Sequence, residues 1–240
     1  MVHHEEMSSP RAILSALVLS AALTAGLFAP MSRADVVTAD GATYQPLWPF
    51  ASQDEADRWL RDGAGDEQWH ADPQATALRF TRDFLGFFEI DRTTSFTEEA
   101  DEAWVGVGYP LPNGENTTAA TLHLVRFGAA EDAPWEVVGS VDDTLTLSTP
   151  PYGHLAGIAI DAGGTVTGVD ESLHLQAKQS TQPDALGTYC CLAAGGSASE
   201  WSTTLELSDR PQPGAVTLVV WTGGHVAEVE DFAITGLRAD

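Results

Sequence analysis

Few residues in this 240-residue chain have the types and spacing that chemistry requires. Its two cysteines, Cys190 and Cys191, stand side by side in GTYCCLAAGG, and five histidines follow residue 34: His70, His123, His154, His174 and His225. A serine hydrolase presents its nucleophile on a Gly-x-Ser-x-Gly turn. The chain has no such motif, and Gly195-Gly196-Ser197 reads as an ordinary glycine-serine turn. Zinc needs three or four close-set ligands, whereas these histidines are far apart and lack an H-E-x-x-H pair; His174 meets the cysteines only if neighbouring strands bring them together. Carboxylate pairs such as Glu98-Glu99 and Asp170-Glu171 are no glycosidase signature, because acids are so abundant here that some pair is always at hand. The ligand-spaced calcium loop D-x-[DN]-x-[DN]-G is absent too. The sequence therefore implies no cofactor, no metal and no named catalytic residue, and leaves His70 and His123 as the side chains from which a base would be drawn.

Aromatic side chains point to binding more than to catalysis. Seven tryptophans, Trp48, Trp59, Trp69, Trp104, Trp135, Trp201 and Trp221, are many for this length. Exposed tryptophans stack on sugar rings or anchor protein interfaces. Trp48 and Phe50 lie in LWPF ahead of any helix, and Trp69-His70 precede the second helix, so Trp48, Phe50, Trp69 and His70 are the candidate binding residues. The competing reading of the same residues is core packing and domain-junction packing.

Two helices must position that group. Ser52-Gln53-Asp54-Glu55 is a Ser-x-x-Glu capping box, which predicts a helix from about Gln53 to Arg61, closed by Asp62-Gly63. Asp72-Pro73 supplies an N-cap acid and a first-turn proline. Ala77, Phe80, Phe84, Leu85 and Phe88 then recur at helical spacing as a core face, with Gly86 as the break. Beyond the helices the period becomes two: AWVGVGYP, TAATLHLVRF, PWEVVGSV and DTLTLS read as strands, the first pair joined through Asn113-Gly114, a strong hairpin signal. Residues 47–148 thus read as an α+β domain, helices packed on an antiparallel meander.

From Pro150-Pro151 onward no helix pattern occurs. LAGIAID, GTVTGVD, SLHLQAK, TYCCLAA, EWSTTLELS, AVTLVVWT and EDFAITGL alternate at the spacing of a Greek-key sandwich, so residues 149–240 read as an all-β, immunoglobulin-like sandwich. Alternation within TYCCLAA places one cysteine on each face of its strand. A cross-sheet bridge of the antibody kind is excluded, since both cysteines share a strand. A vicinal disulfide, two free thiols, or an intermolecular bridge through the outward thiol remain open.

The N-terminus supplies the compartment. Arg11 precedes the apolar run Ala12 to Ala29, Pro30 breaks it, and Ser32 and Ala34 stand where a signal peptidase cuts, so residues 1–34 read as a signal peptide and 35–46 as a linker. Cleavage removes two basic and two acidic residues and leaves the net charge at −24. Such a surface repels nucleic acid and anionic lipid. No segment after the signal region is apolar enough to insert in a membrane.

The order GTVTGVDESLHLQAK, AAGGSASEW, TTLELS, GAVTLVVWT and EDFAITGL resembles the bacterial immunoglobulin-like domains of spore-germination and other cell-surface proteins, the Gmad2 type, over about residues 148–237. LWPF, WHADP, LVRFG and PWEVVG look like the matching N-terminal part of exported actinobacterial proteins with no assigned activity. The resemblance brings no catalytic residues. It implies an extracellular, envelope-associated module, secreted or held at the cell wall, that binds or spaces an envelope protein or glycan without catalysis. The alternative is an extracellular enzyme or small-ligand binder with its site in the α+β domain or at the domain junction.

Overall fold

The computed structural model describes residues 1, 36–37, 42–63, 65, 67–128 and 130–240. The apolar run Ala12 to Ala29 and the cleavage site at Ala34 lie outside the described residues. Within the described residues the chain is mostly β, built on two four-stranded antiparallel sheets. None of the described helices is long and apolar enough to cross a membrane.

A short pair, β1 (Val36–Val37) and β2 (Thr43–Tyr44), precedes the body. The expected linker therefore ends in ordered contacts: Gln45 and Pro46 are buried, and the Gln45 amide donates to the Tyr152 hydroxyl at 2.7 Å. Helix α1 (Gln53–Asp62) starts where the capping box predicts. Ser52 Oγ accepts from the Glu55 amide at 3.3 Å, and Glu55 returns the contact one residue earlier than the motif specifies, accepting from the Ala51 amide at 2.8 Å. Acids in the first turn, Arg61 in the last and Gly63 at φ 78° complete its ends.

A 3-10 turn (Gln68–Ala71) leads into α2 (Pro73–Arg79), capped by Asp72 Oδ1 on the Gln74 and Ala75 amides at 2.9 and 3.3 Å. The helix then widens into one π turn (Phe80–Phe84), where the Leu85 amide reaches back to the Phe80 carbonyl at 2.9 Å. The extra residue in that turn shifts the apolar stripe. Phe80, Phe84 and Leu85 stay in the core, but Phe88 is 68% exposed and Phe87 takes the buried place instead.

The first sheet orders β3 (Arg92–Glu99), β4 (Glu102–Pro110), β5 (Asn116–Arg126) and β6 (Trp135–Val141). Asn113-Gly114 makes the β4–β5 turn, with Gly114 at φ 87°. Both faces are covered. Ala77, Phe80 and Phe84 pack on Val105, Val107, Leu122 and Leu124 on one side; Ala56 of α1, with Phe50, packs on Val125, Phe127 and Val138 on the other. DTLTLS, read as the fourth strand of this meander, instead lies along the second sheet: Thr146 and Ser148 amides donate to the Thr165 and Gly163 carbonyls at 2.9 Å each.

That second sheet orders β10 (Asp231–Ala239), β9 (Gly214–Thr222), β7 (Ala159–Lys178) and β8 (Gly187–Glu206). The seven short runs expected after Pro151 are four strands, because three of them merge into β7 and two into β8, each 20 residues long. Two glycines of β7 are close-approach points to neighbouring backbone. A Cβ on Gly164 would collide with the Thr146 carbonyl, and one on Gly163 would sit 2.9 Å from the Trp201 carbonyl. Strand β9 is buried on both faces: Leu218 and Val220 join Leu173, Leu175 and Leu205, whereas Val219 joins Phe80 and Leu122 with Phe232 and Ile234 of β10. One apolar cluster thus spans the Pro150-Pro151 point.

Candidate functional site

Trp48, Phe50, Trp69 and His70 are brought together. The Leu47 amide and Trp48 carbonyl pair with Val137 of β6 at 3.0 and 2.8 Å, so LWPF runs as an added edge beside the sheet. The 3-10 turn ahead of α2 aims Trp69 and His70 at it. The rings form one continuous series: Trp48 stacks on Trp69 at 5.1 Å, Trp69 on His70 at 3.6 Å, and His70 lies 4.7 Å from Phe50 and 5.5 Å from Trp59. Arg79 caps the outer face of Trp69, its guanidinium 4.9 Å from the ring centre. Much of the ring surface is therefore spent on neighbouring rings, as the packing alternative expects.

The series nevertheless lines a cleft of about 450 Å³, with Pro49, Glu55, Arg58, Trp59, Asp62 and Glu67 completing the walls. Three acids against one arginine give the rim a negative balance. Two of the residues that line the cleft carry buried polar atoms, His70 Nδ1 and Trp59 Nε1, that make no hydrogen bond among the described residues. His70 is 4% exposed, and among the described residues Glu67 Oε2 approaches its Nε2 at 3.7 Å. Burial, aided by the charge of Arg79, lowers its pKa from 6.5 to about 4, so the ring is neutral across the physiological range.

The sequence reading missed Glu136, which is fully buried on β6. Its Oε2 accepts from the Phe50 amide at 3.1 Å, fixing the main chain that carries the cleft wall, while Oε1 is buried without a hydrogen-bond partner among the described residues. Burial pushes its pKa well above the usual carboxylate range, against the pull of the Phe50 and Trp48 amides and with the help of the Glu55 charge. An acid inside the apolar run WEVV was the available signal.

His123 lies elsewhere on the same sheet. Its Nε2 is 2.9 Å from Glu102 Oε2, the Tyr44 hydroxyl donates to Glu102 Oε1 at 3.3 Å, and Trp104 stacks flat on the imidazole at 5.0 Å. The Trp104↔His123 pairing between β4 and β5 creates this group. A carboxylate-oriented imidazole has the form of a general base.

The cysteines depart from the expected alternation. Leu173 pairs with Leu192 and His174 with Cys190, which leaves Cys191 as an inserted bulge residue at φ 130°. Both cysteines are exposed and are joined as a vicinal disulfide, neither in the core. Larger hollows of about 680 and 660 Å³ lie on this hairpin, but glycine, alanine, serine and threonine dominate their walls, with few groups able to recognise a ligand. The chain matches no protein-family model, and no curated protein is significantly similar to it.

Proposed function

We propose that the chain is an exported, non-catalytic binding protein of the bacterial envelope that takes its ligand in the cleft of Trp48, Phe50, Trp59, Trp69 and His70. One observation carries this reading: the rings of Trp48, Phe50, Trp59, Trp69 and His70 line one cleft, and among the described residues His70 Nδ1 and Trp59 Nε1 are buried without a protein partner. A ligand with hydroxyl groups pairs with both once the ring side chains shift to admit it, and one with apolar ring faces lies against the tryptophan edges. The rim of Glu55, Asp62 and Glu67 disfavours an anion. A neutral sugar of an envelope glycan has this chemistry, and the likeness of the second half to Gmad2-type immunoglobulin-like surface domains supports the same setting.

Titrating the protein with neutral cell-wall oligosaccharides while following tryptophan fluorescence tests the proposal. Saturable binding is expected, weakened about tenfold in Trp59→Phe, which removes a hydrogen bond worth about 1–1.5 kcal/mol and keeps an aromatic ring. No binding, or equal binding by the variant, overturns it. The pairing of His123 with Glu102 at 2.9 Å favours a second reading, an extracellular enzyme. Release of new reducing ends during the titration, lost in His123→Gln, would decide for that reading.

A further inference from the structure

We propose that His174, Cys190 and Cys191 form a redox-gated site for a soft or borderline divalent cation, with Zn²⁺ as its natural occupant. One nitrogen of His174 and the two sulfurs lie within 4.8 Å of one another. The bulge produces this convergence. In a regular strand adjacent side chains point to opposite faces, but the inserted Cys191 turns its sulfur to the side of Cys190, opposite His174 in the neighbouring strand. Trp221, paired with His174 across β9, stacks on the imidazole at 5.2 Å and holds its plane.

One imidazole nitrogen and two thiolates are a donor set that selects Zn²⁺ over Ca²⁺ or Mg²⁺, which prefer oxygen. The exposure of both cysteines leaves a fourth position open to water or an exchanging ligand. In the disulfide form the sulfurs are bonded to each other and the site is closed. A thiol reductant opens it: two reductant thiols become one disulfide, and the Cys190–Cys191 bond takes up two electrons and two protons to give two thiols. Zn²⁺ binding then releases those two protons as both sulfurs become thiolates. The site is independent of the aromatic cleft, being built on the other sheet.

The test uses Co²⁺, whose thiolate charge-transfer absorption distinguishes sulfur ligation from weak association with surface carboxylates. Protein reduced with a phosphine under anaerobic conditions is expected to show this band, to saturate at one Co²⁺ per chain and to lose it on addition of Zn²⁺. Oxidised protein should show none. Cys191→Ser should abolish the two-thiolate band, and His174→Gln should weaken affinity by at least the ~10–100-fold that loss of an outer-shell partner costs. Far-UV circular dichroism of each variant separates ligand loss from unfolding. The proposal fails if the reduced protein gives no thiolate band, if a folded His174→Gln variant binds as tightly as the parent, or if saturation comes at one ion per two chains.

Discussion

His70 and His123 both lie against a tryptophan, at 3.6 Å from Trp69 and 5.0 Å from Trp104, yet their polar surroundings are opposite. His123 has a carboxylate at 2.9 Å that is itself held by Tyr44, so its group is closed upon itself. His70 has aromatic faces on several sides, an Nδ1 unpartnered among the described residues and a lowered pKa. An unmet hydrogen-bond demand beside a cleft leaves a part for a ligand to play, whereas a satisfied dyad can be stable in its own right. This difference is the ground for proposing the binding site at His70 rather than at His123.

The largest expected effect breaks the comparison by removing the wall that makes the His70 surroundings apolar. Phe50 is 4% exposed and touches His70, Trp59 and Phe127. Phe50→Ala should cost about 3–5 kcal/mol in urea unfolding, the range for truncating a buried phenylalanine. A cost near zero would mean that the ring series is not part of the core at all.

The next effect reads the electrostatics directly. Because the folded-state pKa of His70, about 4, lies below 6.5, the unfolded chain binds more protons between these values. Its contribution is complete above pH 6.5 and is lost as pH falls to about 4, amounting to roughly 3 kcal/mol. Glu136 works in the opposite sense: its raised pKa lets the folded state keep a proton that the unfolded chain gives up, so stability falls as pH rises through that interval. The difference between the parent and His70→Phe cancels the Glu136 effect, and it should shrink toward acid pH. Parallel stability profiles would show that His70 is solvated.

Much of this arrangement was legible in the sequence because it is locally encoded. Ser52, Asp72 and Gly63 mark helix ends through hydrogen bonds within a few residues, and Asn113-Gly114 specifies its turn alone. Trp48, Phe50, Trp69 and His70 flank the two predicted helices, so their convergence follows once the helices pack on one sheet. What escaped depends on partners distant in sequence. Strand β3, RTTSFTEE, exposes most of its residues and shows no apolar alternation, so pairing with β4 alone defines it. Gly163 and Gly164, where the run GTVTGVD begins, carry no local sign of their task; admitting the backbones of Thr146 and Trp201 becomes visible only when those segments are in place. The bulge at Cys191 likewise arises from the register against Leu173 and His174, which no local pattern announces.

The smallest effect sharpens the comparison from the His123 side. A double-mutant cycle with His123→Gln and Glu102→Gln isolates the pair from the stacking of Trp104, since each single change keeps a side chain of similar reach. A part-buried hydrogen bond of this kind is expected to give a coupling of about 1 kcal/mol in unfolding free energy. Such a coupling, together with unchanged oligosaccharide binding in both variants, would establish the dyad as a clasp between β4 and β5 that also anchors Tyr44. If the coupling vanishes while the variants lose affinity for the sugar, the two histidines exchange roles. The unmet polar atoms at His70 would then mark only a strained core, and the ligand would lie against Trp104.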